Sequence, residues 1–239
     1  MNFDELHVVV SGGTGALGSA VVQRLLTAGA TCHLPNFDPA ELAQFPHTDH
    51  PNVQITTGVD LTEEASVAAF YGNLPELWAS INLAGGFAMA PLAETAGADM
   101  MKLFKMNTLT CFLCCREAVK AMRERPTTTR NLQGGRIVNV AARPGIEPRT
   151  GTGMAAYTAS KAAVAALTQA LAEELAPEGI WVNAVAPSII DTPANRDAMP
   201  QTDHSQWPKP AEIAETISFL AAPDNAVTRG AVVSVFGMS

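Results

Sequence analysis

The strongest chemical signal in this chain is a tyrosine and a lysine four positions apart, Tyr157 and Lys161. They lie in an alanine-rich segment, so a helix there places both side chains on one face, one turn apart. A free tyrosine titrates near ~10, and a neighbouring cation lowers that pKa. The pair therefore predicts a tyrosine that acts as acid or base with help from a lysine. The alternative is a surface tyrosine beside a solvated lysine.

A glycine-rich segment lies near the start of the chain, directly after the apolar run 6–10. It consists of seven consecutive residues: Gly12, Gly13, Thr14, Gly15, Ala16, Leu17 and Gly18. The apolar run has the character of a buried strand, and helical periodicity follows from Leu17 until Gly29. Glycines at such a helix start let backbone N–H groups approach a pyrophosphate, which the helix dipole also favours. This order predicts a dinucleotide site; the alternative is a tight turn without a ligand.

Strands and helices alternate along the rest of the chain. Strands are predicted at 31–34, 53–57, 78–83, 135–140, 180–185 and 231–235, and helices at 63–71, 99–125, 155–176 and 210–221. The rhythm predicts an α/β fold with one domain over residues 1–239, a Rossmann-type doubly wound parallel sheet with helices on both faces. The polar stretch 126–132 is predicted to be a surface loop. The long irregular stretch from about 186 to 210 is expected to be a substrate loop.

Composition narrows the classes of partner. A chain of 239 residues with 47% hydrophobic content can bury one large core. The net charge of −8 argues against nucleic acid and anionic membranes as partners. No apolar run reaches membrane-spanning length, and Asp4 and Glu5 stand where a leader would be basic and apolar. A cytoplasmic location is expected.

The cysteines are consistent with that location as free thiols, of which the chain has four. Cys111, Cys114 and Cys115 have a spacing that metal ligands also use, but no second cluster completes a site. Their segment is apolar and helical. We therefore expect them to pack on a buried helix face, and no metal is predicted.

Across almost its whole length the chain resembles the short-chain dehydrogenase/reductase family. The resemblance rests on the glycine loop, with Ser11 where the family usually has threonine, on Asn82-Leu83-Ala84-Gly85, and on the Tyr157/Lys161 pair. It implies a nicotinamide dinucleotide bound at the glycine loop. The further cofactor-contacting residues that it implies are Asn36, Asp60, Leu61, Ala84, Gly85, Pro187, Ile190 and Thr192, together with Tyr157 and Lys161.

The same resemblance implies catalytic roles for three side chains. Tyr157 would donate the proton, and Lys161 would lower the pKa of the tyrosine and hold the nicotinamide ribose. Asn107 would support a proton-relay water. The alternative for Asn107 is an ordinary polar residue of a helix, and for Asp60 and Asn82 it is a cap of a helix or turn.

Several positions depart from the family pattern. Ala16 stands where the second loop glycine is expected, with Gly15 beside it to supply flexibility. Asn36 replaces the acid that often binds the ribose of NAD, and no arginine or lysine lies nearby for a 2′-phosphate. Ala141-Ala142 replaces the serine that polarises the substrate oxygen. Because the loop up to the tyrosine is longer than usual, Ala142, Ala141 or a hydroxyl such as Thr152 could face the substrate.

Within the family, the chain resembles the quinonoid dihydropteridine reductases, which also lack this serine. The matching positions are Gly12 to Ser19, Ala84-Gly85-Gly86, Asp191-Thr192-Pro193, Asn195-Arg196, Met199-Pro200, Asp203 and Trp207. A quinonoid acceptor is already activated, so less polarisation of the substrate is required. For Trp207 and Arg196 the alternatives are a loop anchor and a solvated charge.

The resemblance thus implies an oxidoreductase that transfers hydride from NAD(P)H to a small organic acceptor. The closer resemblance narrows that acceptor to a quinonoid or imine-type, pteridine-like molecule. One alternative is a ketone or 3-oxoacyl reductase that tolerates the loss of serine. Another is a cofactor-binding sensor with weak or no turnover. NADH is favoured slightly, because Asn36 can bind a ribose hydroxyl. Discrimination against NADPH is expected to be poor, because Asn36 lacks the charge that repels a phosphate.

The two longest predicted helices, 99–125 and 155–176, carry small or apolar residues on more than one face. A helix that is apolar beyond its sheet-facing stripe needs a second partner. The family resemblance also implies pairing through these two helices. A homodimer or homotetramer is therefore expected; burial against the chain's own loops is the alternative.

Overall fold

The computed structural model describes residues 1–124 and 134–239. The strands in these residues form a single parallel sheet. Its strands are β1 (His7–Ser11), β2 (Thr31–Asn36), β3 (Val53–Thr57), β4 (Leu77–Asn82), β5 (Gly135–Val140), β6 (Ile180–Pro187) and β7 (Val232–Val235). They lie in the order β3-β2-β1-β4-β5-β6-β7, and every neighbouring pair is parallel. The predicted doubly wound sheet is confirmed.

Helices cover both faces of this sheet. They are α1 (Ala16–Thr27), α2 (Glu64–Gly72), α3 (Gly97–Leu103), α4 (Thr110–Arg123), α5 (Arg143–Ile146), α6 (Ala155–Leu175), α7 (Pro193–Ala198) and α8 (Pro210–Ala221). A π-helical turn, Phe104–Leu109, joins α3 to α4. Short 3-10 turns lie at Pro39–Gln44, Leu92–Glu94, Pro148–Thr150, Ala176–Glu178 and His204–Gln206.

The predicted elements are confirmed with small shifts at their ends, apart from three features. The predicted helix 99–125 is interrupted by the π-helical turn, and its last residue and the predicted loop 126–132 lie outside the described residues. The 186–210 stretch contains a helix, α7, because Thr192 accepts a hydrogen bond from the N–H of Asn195 and Pro193 begins the first turn.

Alternation along the strands divides the core into two layers. Val8 and Val10 of β1 face α1 and α8, whereas Val9 between them faces the layer formed by α2, α4 and α6. Cys111, Cys114 and Cys115 are buried in this second layer as free thiols, so the prediction that they pack on a helix face is confirmed. Burial raises the pKa of the Cys114 thiol to about 12, which makes it a poor nucleophile.

A buried chain of polar side chains crosses the second layer beneath the carboxyl ends of β4 and β5. Asn82 donates to Asn139 Oδ1 over 2.9 Å, and Asn139 donates to Thr168 Oγ1 over 3.0 Å. Ser80 donates to Asn82 Oδ1 and lies 2.8 Å from the hydroxyl of Tyr71. Because buried polar groups need partners, this chain of bonds fixes the ends of both strands relative to α6.

Two absences hold for the part of the chain that the structure describes. No helix in residues 1–124 and 134–239 has the length and apolar character needed to cross a bilayer. Across the same residues, no group of three or more histidine, cysteine or acidic side chains is arranged to hold a metal ion.

A histidine pair lies on β1 and β2, with His7 Nδ1 2.9 Å from His33 Nε2. Burial, together with the nearby His7, lowers the pKa of His33 from 6.5 to about 4. The folded protein therefore keeps His33 neutral over a pH range in which the unfolded chain protonates it.

We expect the free energy of unfolding to fall as the pH is lowered from 6.5 towards 4, because the unfolded state binds more protons in this window. The part due to His33 is roughly 2 kcal/mol. Denaturant unfolding of the wild type and His33→Phe, at about pH 7 and about pH 4.5, measures it. The variant should lose less stability over this interval, and equal losses would show that His33 is not responsible.

Candidate active site

The carboxyl ends of β1 and β4 meet where the strand order reverses. Chain connections leave the sheet in opposite directions from these two strands, which opens a crevice above them. The N–H of Leu83 donates to the backbone oxygen of Ser11 over 3.1 Å, so the two loops are tied together. Gly12 has φ +68°, and a Cβ there would lie 2.9 Å from the nitrogen of Ala84. Gly12 is thus required by the fold itself.

Two other glycines of the loop differ in what surrounds them: Gly18 is required by close packing, whereas Gly15 borders open space. A Cβ on Gly18 would lie about 2.1 Å from the oxygen of Gly12, so this glycine allows α1 to pack against the loop. Gly15 has φ −73°, and its Cβ would meet only the oxygen of Gly12, at 3.5 Å. Nothing in the described chain fills that space. A glycine that the fold does not require fits a loop over which a phosphate group lies.

The first turn of α1 has the donors that such a group needs. Its N-cap residue is Gly15, and no side chain caps the helix. The backbone N–H groups of the first turn therefore lack intrahelical acceptors and point out of the helix start. Ala16, which replaces the family glycine, is the first helical residue, and Gly15 supplies the clearance. The residues present fit a pyrophosphate.

A carboxylate lies beside Asn36 at the end of β2. Glu41, on the 3-10 turn Pro39–Gln44, accepts a hydrogen bond of 2.8 Å from Thr14 Oγ1 and one of 3.5 Å from Asn36 Nδ2. Asn36 is buried, and its Oδ1 has no partner in the described structure. The sequence interpretation missed Glu41, because it considered only the strand end, whereas the 3-10 turn brings the acid back. The only hint was an acid five positions downstream.

Asp60 and Leu61 follow β3 at the same edge of the sheet. Asp60 Oδ1 accepts hydrogen bonds of 2.8 Å from both the N–H and the hydroxyl of Thr62, and the N–H of Asp60 binds Ser66. The carboxylate thus holds the turn that leads into α2. Its predicted contact with adenine stays a prediction.

Asn107 lies in the π-helical turn and ties the loop after β4 to α6. Its amide donates to the oxygen of Gly86 and to Ser160 Oγ, both over 3.0 Å, and its Oδ1 accepts from the N–H of Gly86 over 2.9 Å. A Cβ on Gly85 would lie 2.5 Å from that Oδ1. The π-helical turn therefore places a buried amide against Ala84-Gly85-Gly86, as such turns often do at functional sites.

Tyr157 and Lys161 share one face of α6 as predicted, but the electrostatics differ from the prediction. Lys161 Nζ donates to the backbone oxygen of Val140 over 2.9 Å, and burial lowers the pKa of this lysine to about 8. Burial raises the pKa of Tyr157 to about 12. The expected lowering of the tyrosine pKa is thus wrong for this state, because the lysine is directed to a carbonyl and the phenol is withdrawn from water.

Aromatic packing holds the phenol. The ring of Phe87 meets that of Tyr157 edge to face, with 5.0 Å between the ring centroids, and Phe87 is itself 62% exposed. Phe87 also lines a cavity of about 200 Å³. The other lining residues are mostly apolar: Ala88, Ala90, Thr95, Asp99, Lys102, Leu103, Met106, Gly153, Met154, Ala155 and Ala156.

The two alanines that follow β5 differ in their surroundings. Ala141 is 1% exposed, belongs to the core layer of α2, α4 and α6, and donates its N–H to the oxygen of Val185. Ala142 is also buried, at 5% exposure, but it belongs to neither core layer and is the N-cap of α5. Thr152 is exposed on the loop before α6. Which of these three positions faces the substrate stays a prediction.

The loop after β6 is ordered by its own contacts. Thr192 caps α7, and Asn195 Nδ2 donates to the oxygen of Ile190 over 2.8 Å. Arg196 makes two hydrogen bonds to Asp191, of 2.5 and 2.9 Å. Trp207 is only 4% exposed, and its ring lies 4.5 Å from that of His204. These positions agree with the loop-anchor interpretation of Trp207, and Arg196 is paired rather than simply solvated.

The described structure thus brings most predicted site residues to one edge of the sheet. The glycine loop follows β1, Asn36 ends β2, and Asp60 and Leu61 follow β3. Ala84 and Gly85 follow β4, and Pro187 ends β6 ahead of Ile190 and Thr192.

A family model described as short chain dehydrogenase matches residues 6–203. The chain belongs to the short-chain dehydrogenase family. It is an NAD(P)-dependent oxidoreductase of that family.

Individual relatives of this short-chain dehydrogenase are named for different functions. It is 30% identical to galactitol 2-dehydrogenase of Rhizobium johnstonii, over 97% of this chain and 94% of that one. It is 29% identical to a cyclic-di-GMP-binding biofilm dispersal mediator protein of Escherichia coli, over 96% and 95%. The structure of ElxO with NADP bound superimposes with a TM-score of 0.84 at 25% identity, over 97% of both chains. None of these three is a dihydropteridine reductase, so the closer resemblance stays a prediction.

Proposed function

We propose that this short-chain dehydrogenase transfers hydride from NADH to a small, intrinsically electrophilic ring acceptor of quinonoid or imine type. The observation that supports the proposal is that Ala142, the N-cap of α5, has no hydroxyl. We assign to Ala142 the position from which the family serine would donate a second hydrogen bond to the acceptor. Tyr157 is left as the side-chain donor from α6. A ketone needs its oxygen polarised as charge develops, whereas a conjugated quinonoid acceptor spreads that charge over its own ring.

The chain's own residues divide the work as follows. The nicotinamide cofactor, bound over the glycine loop, supplies the hydride. Tyr157 Oη donates the proton to the reduced acceptor. Lys161, whose ammonium has three protons and uses one on Val140, keeps two for the nicotinamide ribose and the phenol. Asn107 holds Gly86 and Ser160, and thereby positions the loop that faces the cofactor; support of a relay water is its further proposed role.

The cofactor contacts of the proposal follow the edge of the sheet. The pyrophosphate binds at Gly12–Gly18 and the adenine lies near Asp60 and Leu61. The nicotinamide end lies between Ala84-Gly85 and the residues Pro187, Ile190 and Thr192. The open space at Gly15 and the unpartnered Oδ1 of buried Asn36 support a ligand along this path.

We base the proposed preference for NADH on Glu41 alone. The structure of the relative ElxO contains NADP and so does not support a preference for NADH. A carboxylate at this point can accept hydrogen bonds from ribose hydroxyls, and it repels a 2′-phosphate. We expect the wild type to use NADH more efficiently than NADPH. Glu41→Gln should shift the ratio of kcat/KM values towards NADPH by roughly tenfold, which corresponds to about 1.4 kcal/mol.

The control for this prediction is Asp38→Asn, which removes the same charge from the same turn and keeps an acceptor for the N–H of Ala40. It should leave the NADH/NADPH ratio nearly unchanged. A wild type that prefers NADPH would contradict the assignment of Glu41, and so would an equal shift in both variants.

The size and lining of the cavity support a small, largely apolar acceptor. The cavity has a volume of about 200 Å³, and its lining combines apolar residues such as Phe87 and Met106 with the polar side chains of Thr95, Asp99 and Lys102. An apolar cavity of roughly 150 Å³ already accommodates a single aromatic ring. A single-ring acceptor or a bicyclic one fits this space better than an extended molecule.

Two further functions have a specific observation in their favour. Galactitol 2-dehydrogenase, to which the chain is similar, is named for an alcohol substrate, which favours a ketone, 3-oxoacyl or alcohol enzyme that tolerates Ala142. The biofilm dispersal mediator is named for a cyclic dinucleotide that it binds, which favours a cofactor-binding sensor.

One experiment separates the three functions. Oxidation of NADH and NADPH is followed optically with a quinonoid dihydropteridine, simple quinones, cyclic ketones and a 3-oxoacyl ester. We expect clear turnover with the activated acceptors and little with the ketones. Turnover of ketones alone would replace the proposal by the ketone reductase. Cofactor binding without any turnover would favour the sensor.

We also propose one folded unit over residues 1–239, located in the cytoplasm and assembled as a homodimer or homotetramer through α4 and α6. Phe112 on α4 is 43% exposed, and Ala166 and Ala170 are exposed on α6. These side chains support a packing face beyond the one that covers the sheet.

Light scattering should therefore give a dimer or tetramer at micromolar concentration. Phe112→Glu should reduce the mass, because a buried unpaired carboxylate at the interface is costly. Phe219→Glu on α8, a residue 45% exposed on the opposite face of the sheet, is the matched control for the α4–α6 contact. A wild-type monomer would remove the proposal.

A further inference from the structure

Arg143 follows Ala142 directly, and its guanidinium contacts parts of the chain that are distant in sequence. Nη1 donates to the backbone oxygen of Ser239 over 2.8 Å, and Nε donates to Glu147 Oε2 over 2.7 Å. The guanidinium carbon lies 4.7 Å from the centre of the Phe236 ring. One side chain thus connects the loop after β5 to residues 236–239, which follow β7.

Residues 236–239 in turn hold the loop after β6. Ser188 Oγ donates to the oxygen of Phe236 over 2.9 Å and lies 2.7 Å from Ser239 Oγ. The N–H of Met238 donates to the oxygen of Gln206 over 3.0 Å. The 236–239 segment is therefore bonded to both ends of the loop that runs from β6 to α8.

Ser188 lies inside the segment 187–192, which the proposed function assigns to the nicotinamide. The N–H of Asp191 donates to the oxygen of Pro208 over 2.9 Å, so the segment is also bonded to the far end of its own loop. A continuous series of contacts therefore runs from Arg143 through Ser239 to Ser188. It begins at the residue next to Ala142 and ends at the predicted nicotinamide contacts.

We propose that Arg143 is a positioning residue, which fixes segment 187–192 by holding the 236–239 segment against it. The proposal rests on the proposed function for the identity of what that segment faces. The Arg143 side chain is 33% exposed, so its ion pair with Glu147 contributes little by itself. The hydrogen bond to Ser239 and the contact with Phe236 add to it, because all three require the same side-chain position.

The first test uses the protein without cofactor. Hydrogen exchange is measured for the wild type, Arg143→Met and Arg143→Lys. We expect Arg143→Met to speed exchange of the N–H groups of Asp191 and Met238 by roughly tenfold, since loss of a charged hydrogen bond and a cation–π contact loosens both segments. Arg143→Lys should recover part of the protection, because a lysine can reach one of the two acceptors but not both.

The matched control is Arg149→Met on the neighbouring 3-10 turn. Arg149 is exposed and its side chain makes none of the contacts that Arg143 makes. This variant should exchange like the wild type. Unchanged exchange in Arg143→Met would overturn the proposal, as would an equal increase in Arg149→Met. Because no cofactor or substrate is present, this result does not depend on the proposed function.

The second test uses NADH and an acceptor that the enzyme turns over. Arg143→Met should raise KM for NADH by roughly tenfold with kcat nearly unchanged, because a positioning residue affects binding more than the chemical step. Ser188→Ala should act in the same way, and the double variant should be little worse than either single one. Additive effects would overturn the contact series, and a fall in kcat with constant KM would make Arg143 part of the chemistry instead.

Discussion

Tyr157→Phe should reduce turnover by roughly 10²- to 10⁴-fold, the range that loss of a positioned proton donor produces. The phenyl ring keeps its edge-to-face contact with Phe87, so the site should retain its packing. Initial rates with NADH and a quinonoid acceptor measure the loss, and fluorescence titration of NADH should show nearly unchanged affinity. The phenol is the group under test, since the ring and the helix are unchanged.

The chain contains two tyrosines, which provides a matched control. Tyr71→Phe removes the same hydroxyl from a buried site in the second core layer, where it lies 2.8 Å from Ser80 Oγ. That variant should lose some stability and keep its turnover. Full reductase activity in Tyr157→Phe would remove the phenol from the mechanism.

Ala142→Ser is the companion to this experiment. On a quinonoid acceptor the added hydroxyl should change turnover little, because the acceptor already spreads the developing charge. On a ketone it should raise turnover, by up to roughly 10²-fold if the hydroxyl reaches the developing oxyanion. Ala141→Ser should only lower stability, since Ala141 packs in the core. A large gain on the quinonoid acceptor would favour the ketone reductase.

Gly15→Val should raise the Kd for NADH by roughly 100-fold, or about 3 kcal/mol, while the protein stays folded. Its backbone has an ordinary φ of −73°, and the nearest atom to a new Cβ is the oxygen of Gly12 at 3.5 Å. The branched side chain would fill the space over the first turn of α1. Cofactor titration and a thermal melt measure the two effects.

Gly12→Val is a less clean experiment, because the structure shows what else it would disturb. With φ +68° and a Cβ 2.9 Å from the nitrogen of Ala84, valine there would strain the backbone and push β1 and β4 apart. It should lower stability as well as affinity. If Gly15→Val binds NADH as tightly as the wild type, the pyrophosphate does not lie over the glycine loop.

Structural elements that have a recognisable local sequence pattern could be predicted from the sequence. Buried strands, helix periodicity and the strand–glycine–helix order placed the sheet and its crevice, because burial and loop chemistry leave a local trace. The cysteines of α4 were recognised as packing residues for the same reason.

Features that depend on contacts between segments distant in sequence could not be predicted, because no local sequence pattern indicates them. Glu41 reaches the end of β2 only because a 3-10 turn folds back over it. Lys161 is directed to Val140, which no spacing between Tyr157 and Lys161 reveals. The π-helical turn around Asn107 coincides with hydrogen bonds between its amide and Gly86, twenty-one residues earlier in the chain. In each case a tertiary contact overrides the local pattern.

The three tryptophans give this enzyme a built-in optical signal. Trp78 and Trp181 lie on either side of the Arg136 guanidinium, 4.9 and 4.6 Å from it, on strands of the sheet. Trp207 lies instead in the loop after β6, against His204. The emission of the first two should stay constant when that loop moves. A change in intrinsic fluorescence on ligand addition should therefore come from Trp207, and Trp207→Phe should abolish it, which makes rapid-mixing measurements of loop movement feasible without a dye.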